Sequence, residues 1–202
     1  MENTIDQAYL NAYPLGAPTK VHNHLVALLQ TLKLVVFDVD GVLTDGGLLY
    51  GEYGEQLKRF NVKDGVALKL LPKWGVEVAI ITAKDSAPLR KRMQDLGIKH
   101  FYPGCHNKAD AYKTLIETLN INRQNTAYVG DDVIDLQVMP LAGVSFCPAD
   151  AHELVVRSCD ITLNVNGGQG VAREVADRIL ACRMPLEHAY GLAIKPEFEK
   201  VI

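Results

Sequence analysis

Cysteines are few in this chain, and none of them has the spacing of a metal site or a redox pair. The four lie far apart, with no Cys-x-x-Cys pair: Cys105, Cys147, Cys159 and Cys182. Disulfide frameworks are typical of secreted chains of fewer than about 80 residues, whereas this chain has 202. We therefore expect buried free thiols that take no part in the function.

Long apolar runs and an excess of positive charge are also missing. No run approaches the roughly 18 apolar residues that span a bilayer, and the first residues lack the basic start and apolar block of a signal peptide. The net charge of -3 offers no basic footprint for a nucleic-acid backbone. These absences predict a cytoplasmic protein with a small-molecule partner, and no partnership with nucleic acid or membrane.

The composition is that of an ordinary globular domain, with 48% hydrophobic and 22% charged residues. From residue 33 onward, short apolar runs alternate with helical patterns, which is typical of a parallel sheet covered by helices. The runs lie at residues 34–37, 76–81, 99–102, 126–129, 144–146 and 160–163. The pattern predicts an α/β fold, an open Rossmann-like parallel sheet with helices on both faces.

One segment breaks the alternation after the first strand. In residues 48–60, Gly51 and Gly54 separate two extended pieces as in a β-hairpin. The segment carries more apolar surface than an exposed flap should show: Leu48, Leu49, Tyr50, Tyr53, Leu57 and Phe60. We expect a closed homo-oligomer in which a neighbouring subunit covers this surface. The alternative is a hairpin folded back on its own sheet.

Acidic residues follow two of the predicted strands at the point where each strand ends. Asp38 and Asp40 come directly after run 34–37, and run 126–129 is followed by Asp131, Asp132 and Asp135. Ligands of open parallel sheets bind beyond the carboxyl ends of the strands. Each acid alone is more typical of a turn or a helix cap. Together, such closely spaced carboxylates need a cation or a raised pKa, and an oxygen-rich site suits Mg²⁺.

Two further residues complete a candidate phosphate site. Thr82 follows run 76–81 and offers a hydroxyl and a backbone N–H near the amino end of the next helix. Lys108 follows Asn107 near a helix start, where a cation opposes the helix dipole. Alone, Thr82 is more typical of a helix cap and Lys108 of a solvated surface. In combination with the acids, we interpret both as phosphate ligands.

These residues, in this order, resemble the haloacid dehalogenase-like phosphohydrolase superfamily, whose pattern is Asp-x-Asp, then Ser or Thr, then Lys, then an acidic turn. Longer segments are similar to the 3-deoxy-D-manno-octulosonate 8-phosphate phosphatases within it: VVFDVDGVLTDG, FNVKDG, YVGDDVID, PADAH and NGGQGVAREV. This resemblance implies an Mg²⁺-dependent phosphatase that acts on a phosphorylated sugar acid in outer-envelope lipopolysaccharide synthesis, through an aspartyl phosphate.

The resemblance also implies a role for each residue. Asp38 would be the nucleophile, and Asp40 the general acid and base, whose backbone carbonyl also binds Mg²⁺. The implied metal set is Asp38, Asp40 and Asp131, and the implied phosphate or substrate ligands are Thr82, Ala83, Lys84 and Lys108. Asp132 and Asp135 would orient the metal site and its waters.

The chain departs from the family where its members commonly have Ser-Gly-Arg-Asp-Ser, because residues 82–86 are Thr-Ala-Lys-Asp-Ser. Lysine replaces the planar guanidinium fork with a point charge, and the two recognise carboxylates differently. A nonulosonate phosphate such as N-acylneuraminate 9-phosphate is therefore an alternative substrate. The alternative without catalysis is an oligomeric binding module on the same fold.

The resemblance extends over residues 33–183, which we predict to be the phosphatase domain. We assign residues 1–32 to a lead-in with a short helix and residues 184–202 to a tail. The intervals 45–63 and 82–108 have no room for the cap domain of larger superfamily members. The resemblance implies a homotetramer in which a neighbouring chain walls the pocket, and the tail beyond Arg183 is a candidate for that wall.

Overall fold

The apolar runs and helical patterns fold into a parallel sheet covered by helices. The structure is a computed structural model that describes residues 5–12 and 19–198. The strands are β1 (Leu34–Phe37), β2 (Leu49–Gly51), β3 (Gly54–Leu57), β4 (Glu77–Ile81), β5 (His100–Tyr102), β6 (Thr126–Val129), β7 (Val144–Cys147) and β8 (Ile161–Thr162). The helices are α1 (Gln7–Ala12), α2 (Thr19–Thr31), α3 (Val62–Leu70), α4 (Ala87–Asp95), α5 (Lys108–Thr118), α6 (Glu153–Ser158), α7 (Val171–Ala181) and α8 (Leu186–Tyr190).

The main sheet has six strands in the order β5-β4-β1-β6-β7-β8, all parallel. Each of the six predicted runs coincides with one of these strands to within one residue at either end, so the predicted fold class is confirmed. Phe37 at the end of β1 lies beside Ile80 of β4 and Val129 of β6. The chain runs from β1 outward to β5 and then returns to the other side of β1, so the strand order reverses between β1 and β6. Such a reversal opens a crevice at the carboxyl ends of the strands.

Both faces of the sheet are buried, which explains why the strands lack an alternation of apolar and polar residues. All four residues of β1 are buried. Val35 and Phe37 face a core shared with α2, α3, α4 and α7. Val36 faces a second core shared with α5 and α6.

The predicted hairpin is present as an antiparallel pair, β2 and β3, outside the main sheet. Its large apolar side chains are exposed in the single chain: Leu49 is 52% exposed, Leu57 66% and Tyr53 85%. Phe60, just after the hairpin, packs against the core instead. The hairpin therefore does not fold back on its own sheet, and its apolar surface has no cover from the described residues.

The lead-in packs on the same core as the sheet, whereas the tail packs mainly in a smaller cluster with α3 and α7. Leu25 and Leu29 of α2 are buried in the core of the sheet. Arg183 links the end of α2 to the segment that follows α7 by hydrogen bonds. Its guanidinium donates to the carbonyl oxygens of Leu29 at 3.3 Å and Leu32 at 2.5 Å. Phe198 of the tail packs in a small cluster of its own chain. Residues 1–4 and 13–18 of the lead-in and 199–202 of the tail lie outside the described residues, and the three segment bounds stay a prediction.

All four cysteines are free thiols, as expected. Cys147 and Cys182 are buried, but Cys105 and Cys159 are only half-buried, which corrects the expectation of complete burial. Cys105 lies in the loop between β5 and α5, and Cys159 directly follows α6. No helix within the described ranges is long and apolar enough to cross a membrane.

Candidate active site

The carboxyl ends of the three central strands bring the predicted site residues together. Asp38 directly follows β1, Thr82 follows β4 and the acidic turn at Asp131 follows β6. These residues border a cleft of about 260 Å³, which Asp40, Gly41, Gly46, Ala83, Lys84, Asp132 and Ile134 also line. Parallel strands in register place their ends side by side, so residues almost 100 positions apart in the sequence meet at one edge of the sheet.

Three carboxyl groups lie close together at this edge of the sheet. Asp38, Asp131 and Asp135 each have a side-chain oxygen within 4.8 Å of the others. The metal set that the resemblance implies has Asp40 in place of Asp135. The Asp40 side chain accepts a hydrogen bond from Lys58, and the resemblance assigns only its backbone carbonyl to the metal.

Lys108 lies between two members of the carboxyl cluster, Asp38 and Asp135. Its side chain is 1% exposed, and its Nζ lies 3.0 Å from Oδ2 of Asp38 and 2.8 Å from Oδ1 of Asp135. The alternative of a solvated surface lysine is therefore wrong. Burial alone would lower the pKa of Lys108, but the two carboxylates raise it above its ordinary value. The site contains a permanent cation beside Asp38.

Asp135 is held by four donors and has little freedom to act as a ligand. Its Oδ1 accepts from Lys108 at 2.8 Å and from the Tyr128 hydroxyl at 2.7 Å. Its Oδ2 accepts the backbone N–H groups of Asp131 at 3.0 Å and Asp132 at 3.3 Å. This arrangement supports the orienting role that the resemblance implies for Asp135. Asp132 in turn caps the short 3-10 helix at residues 133–137 through its side chain.

Tyr128 is a site residue that sequence reasoning missed. It lies inside β6, where its ring counts as one more apolar residue in a buried run, and it is fully buried. Burial and the nearby charge of Asp135 raise the pKa of its hydroxyl well above the ordinary value. Tyr128 is therefore a neutral hydrogen-bond donor to Asp135, and no sequence spacing indicated this role.

The donor set fits a small divalent cation. Oδ1 of Asp38 and Oδ1 of Asp131 are buried and accept no hydrogen bond from the described residues. Burial, reinforced by the charges of Asp38 and Asp135, raises the pKa of Asp131 to about 8. Burial also raises the pKa of Asp38 to about 6, although Lys108 opposes this shift. A cation between these oxygens would offset the repulsion, and carboxylate oxygens are the ligands that Mg²⁺ prefers.

The segment after β4 agrees only in part with the sequence prediction. Thr82 is 1% exposed and borders the cleft, as do Ala83 and Lys84. The backbone N–H of Thr82 donates to the carbonyl of Tyr102 at 3.1 Å, so the expectation that this N–H is free for a phosphate is wrong. The N–H is used to extend the pairing of β4 with β5 by one residue. The hydroxyl is the group that Thr82 can offer.

Two glycine turns let the loops of the site approach one another. Gly41 has a φ of +81°, and a Cβ at this position would overlap the Asp131 carboxyl group. The backbone N–H of Gly168 donates to the carbonyl of Val42 at 3.0 Å, so the NGGQG segment supports the loop after β1. A side chain at Gly167 would meet the carbonyl of Gly41. The sequence indicated turns at these glycines but not which loops they bring together.

Comparisons with known proteins agree with this geometry. A family model described as haloacid dehalogenase-like hydrolase matches residues 98–175. The chain is 41% identical over 174 residues to the 3-deoxy-D-manno-octulosonate 8-phosphate phosphatase KdsC of Salmonella typhi, which covers 86% of this chain and 93% of that protein. The chain belongs to the KdsC phosphatase family. The resemblance found in its sequence motifs is therefore confirmed.

Solved structures of KdsC-family phosphatases have the same fold. The enzyme from Moraxella catarrhalis, in complex with magnesium, phosphate and KDO, is 33% identical with a TM-score of 0.78, covering 85% of this chain and 97% of that one. The cobalt-bound enzyme from Haemophilus influenzae is 37% identical with a TM-score of 0.75, covering 87% and 99%. Both relatives hold a divalent metal, in agreement with the donor set described above.

Proposed function

We propose that this chain hydrolyses 3-deoxy-D-manno-octulosonate 8-phosphate to the free sugar acid and phosphate, with Mg²⁺ as cofactor. The observation that carries the proposal is the pairing of Asp38 with a buried Lys108 at the end of β1, close to the Asp131 carboxyl group and its unpartnered oxygen. The identity to named phosphatases supports the substrate. The reaction supplies a sugar acid for lipopolysaccharide precursors, and a cytoplasmic location stays a prediction.

The geometry supports Asp38 as the nucleophile. Its Oδ1 is buried without a hydrogen-bond donor and can bind the metal, whereas its Oδ2 lies 3.0 Å from Nζ of Lys108. Attack of a carboxylate oxygen of Asp38 on phosphorus forms an aspartyl phosphate and releases the sugar, so one difficult hydrolysis becomes two easier steps. Lys108 offsets the negative charge that the transferring phosphoryl group brings beside Asp38.

Asp40 would serve both steps as the proton carrier. It lies two residues beyond Asp38 on the same loop and borders the cleft. In the first step it protonates the leaving alkoxide, and in the second it takes a proton from the water that attacks the aspartyl phosphate. Mg²⁺, when held by Asp38, Asp131 and the Asp40 carbonyl, supplies positive charge for the phosphoryl oxygens. Thr82 and Lys108 contribute a hydroxyl and a cation for the same oxygens.

A panel of sugar phosphates tests the substrate. We expect the highest kcat/KM for 3-deoxy-D-manno-octulosonate 8-phosphate, at least about tenfold above N-acylneuraminate 9-phosphate, a difference of about 1.4 kcal/mol in the barrier. Preference for the nonulosonate would overturn the substrate but keep the phosphatase. Failure to hydrolyse any phosphate, including p-nitrophenyl phosphate, would favour the non-catalytic binding module. Because Lys84 stands where relatives have arginine, Lys84→Arg belongs in the same panel as the test of that difference.

We also propose a homotetramer in which the hairpins of neighbouring chains cover one another. The support is the exposed apolar surface of β2 and β3, which the described residues of the single chain leave uncovered. Light scattering should give a particle of four times the 22.2 kDa chain mass. The described part of the tail packs on its own chain, so the hairpin is the better candidate for the contact.

A charged hairpin variant is the matched test of this assembly. We expect Tyr53→Asp combined with Leu49→Asp to lower the particle mass and to reduce activity on the sugar phosphate, because charges in a buried interface are costly. Leu154→Asp is the control, since Leu154 is 49% exposed, much as Leu49 is, but lies on α6 and belongs to neither the hairpin nor the tail. A monomer that keeps full activity at high dilution would contradict a pocket shared between subunits.

A further inference from the structure

Lys58, the first residue after β3, is a buried lysine that the proposed function leaves without a role. Its side chain is completely buried between two carboxyl groups. The Nζ donates to Oδ1 of Asp40 and lies 2.8 Å from Oε1 of Glu55. A lysine is rarely buried unless its charge is paired, and removing it would leave two carboxylates without their cation. Lys58 therefore bridges the hairpin, through Glu55, and the loop after β1, through Asp40.

The bridge controls one oxygen of Asp40 and leaves the other free. Oδ1 of Asp40 accepts from Lys58 and, at 3.4 Å, from the Thr44 hydroxyl. Oδ2 is buried and accepts no hydrogen bond from the described residues. A carboxyl group held through one oxygen cannot rotate freely, so the position of the other oxygen is also set. Asp40 borders the cleft, and Oδ2 is the oxygen of its carboxyl group that no donor among the described residues occupies.

Neither of the other two lysines of the site, Lys108 and Lys84, orients the Asp40 carboxyl group. The two ion pairs of Lys108 are with Asp38 and Asp135. Lys84, which borders the cleft, makes no ion pair among the described residues. Glu55 anchors Lys58 from the hairpin side, and its side chain is 6% exposed. Orientation of the Asp40 carboxyl group thus depends on a lysine and a glutamate that come from the hairpin.

We infer that Lys58 is a positioning residue, which acts through Asp40 and is itself anchored by Glu55. It holds the Asp40 carboxyl group so that Oδ2 meets the leaving oxygen of the substrate in the first step and the attacking water in the second. This inference rests on the proposed function of Asp40 as general acid and base. It also makes proton transfer depend on the hairpin, the element that we propose to be covered by a neighbouring subunit.

The test is to compare two leaving groups in the first chemical step. The alkoxide of a sugar phosphate needs a proton as it departs, whereas nitrophenolate departs without one. In single-turnover rapid-quench experiments with Lys58→Met, we expect release of the sugar from 3-deoxy-D-manno-octulosonate 8-phosphate to slow by about 10²-fold, the usual range for a general acid. Release of nitrophenolate from p-nitrophenyl phosphate should slow by less than about fivefold.

Three variants make the comparison specific. Glu55→Gln keeps Lys58 but weakens its anchor, so a smaller loss with the same dependence on the leaving group is expected. Lys58→Arg keeps the charge and should restore part of the rate. Lys91→Met is the control, because Lys91 is an exposed lysine whose ion pair is with Asp95; both substrates should react at wild-type rates.

Other outcomes would overturn the inference. Equal loss with both substrates, together with a lower Tm, would make Lys58 a structural residue only. A raised KM with an unchanged single-turnover rate would make it a substrate ligand. If Lys58→Met does not fold because Glu55 is left unpaired, the double variant with Glu55→Gln removes that charge and must show the same dependence on the leaving group. Failure of the wild type to react with either substrate would instead refute the proposed function itself.

Discussion

Asp38→Asn should lose roughly 10⁴-fold or more in kcat, the scale on which removal of a nucleophile is felt in enzymes. The amide has nearly the same shape as the carboxyl group but cannot attack phosphorus. The fold should survive, because Lys108 keeps its second carboxylate partner, Asp135, at 2.8 Å. Steady-state hydrolysis of the sugar phosphate and of p-nitrophenyl phosphate measures the loss, and a circular dichroism melt checks the fold.

A trapping experiment separates loss of the nucleophile from loss of binding. Wild type quenched in acid during turnover should carry one phosphoryl group on the peptide that contains Asp38, and Asp38→Asn should carry none. Asp95→Asn is the matched control, because Asp95 is an acid at the solvent-exposed end of α4 whose ion pair is with Lys91. Activity of Asp38→Asn within about tenfold of wild type, or about 1.4 kcal/mol in barrier, would remove Asp38 from the role of nucleophile.

Removal of the metal should abolish activity as completely as Asp38→Asn does. Excess chelator is expected to stop hydrolysis and Mg²⁺ to restore it, because Asp38 and Asp131 present buried oxygens without hydrogen-bond donors. Asp131→Ala should raise the Mg²⁺ concentration needed for half-maximal activity or eliminate activity altogether. Titration of Mg²⁺ into chelator-treated enzyme measures both. Full activity in excess chelator would contradict the metal requirement.

A stability measurement checks the same site without any substrate. A ligand that binds only the folded state raises Tm as its concentration passes the Kd. Mg²⁺ should therefore raise the Tm of wild type and leave that of Asp131→Ala unchanged. Asp110→Ala is the control, because Asp110 is an exposed acid at the start of α5; its response to Mg²⁺ should equal that of wild type. Equal shifts in all three proteins would place the metal elsewhere.

The order of apolar runs and helical patterns was enough to predict the open parallel sheet. Strands buried on both faces are uniformly apolar, whereas the helices between them repeat their apolar residues every three to four positions. Each element can therefore be recognised from a short stretch of sequence. The meeting of Asp38 with Asp131 followed from the same pattern, because parallel strands end at one edge of the sheet. The hairpin and its apolar surface were likewise local features.

The tertiary structure alone decided which side chains are paired at that edge. Three sets of contacts there join residues from separate elements. Lys108 pairs with Asp38 and Asp135, the Tyr128 hydroxyl donates to Asp135, and Lys58 donates to Asp40. A lysine looks the same in sequence whether it is solvated or buried, and a tyrosine in an apolar strand counts only as hydrophobic. These pairings depend on side-chain direction and on which loop faces which, and both are set by packing across the sheet and not by neighbours in the sequence.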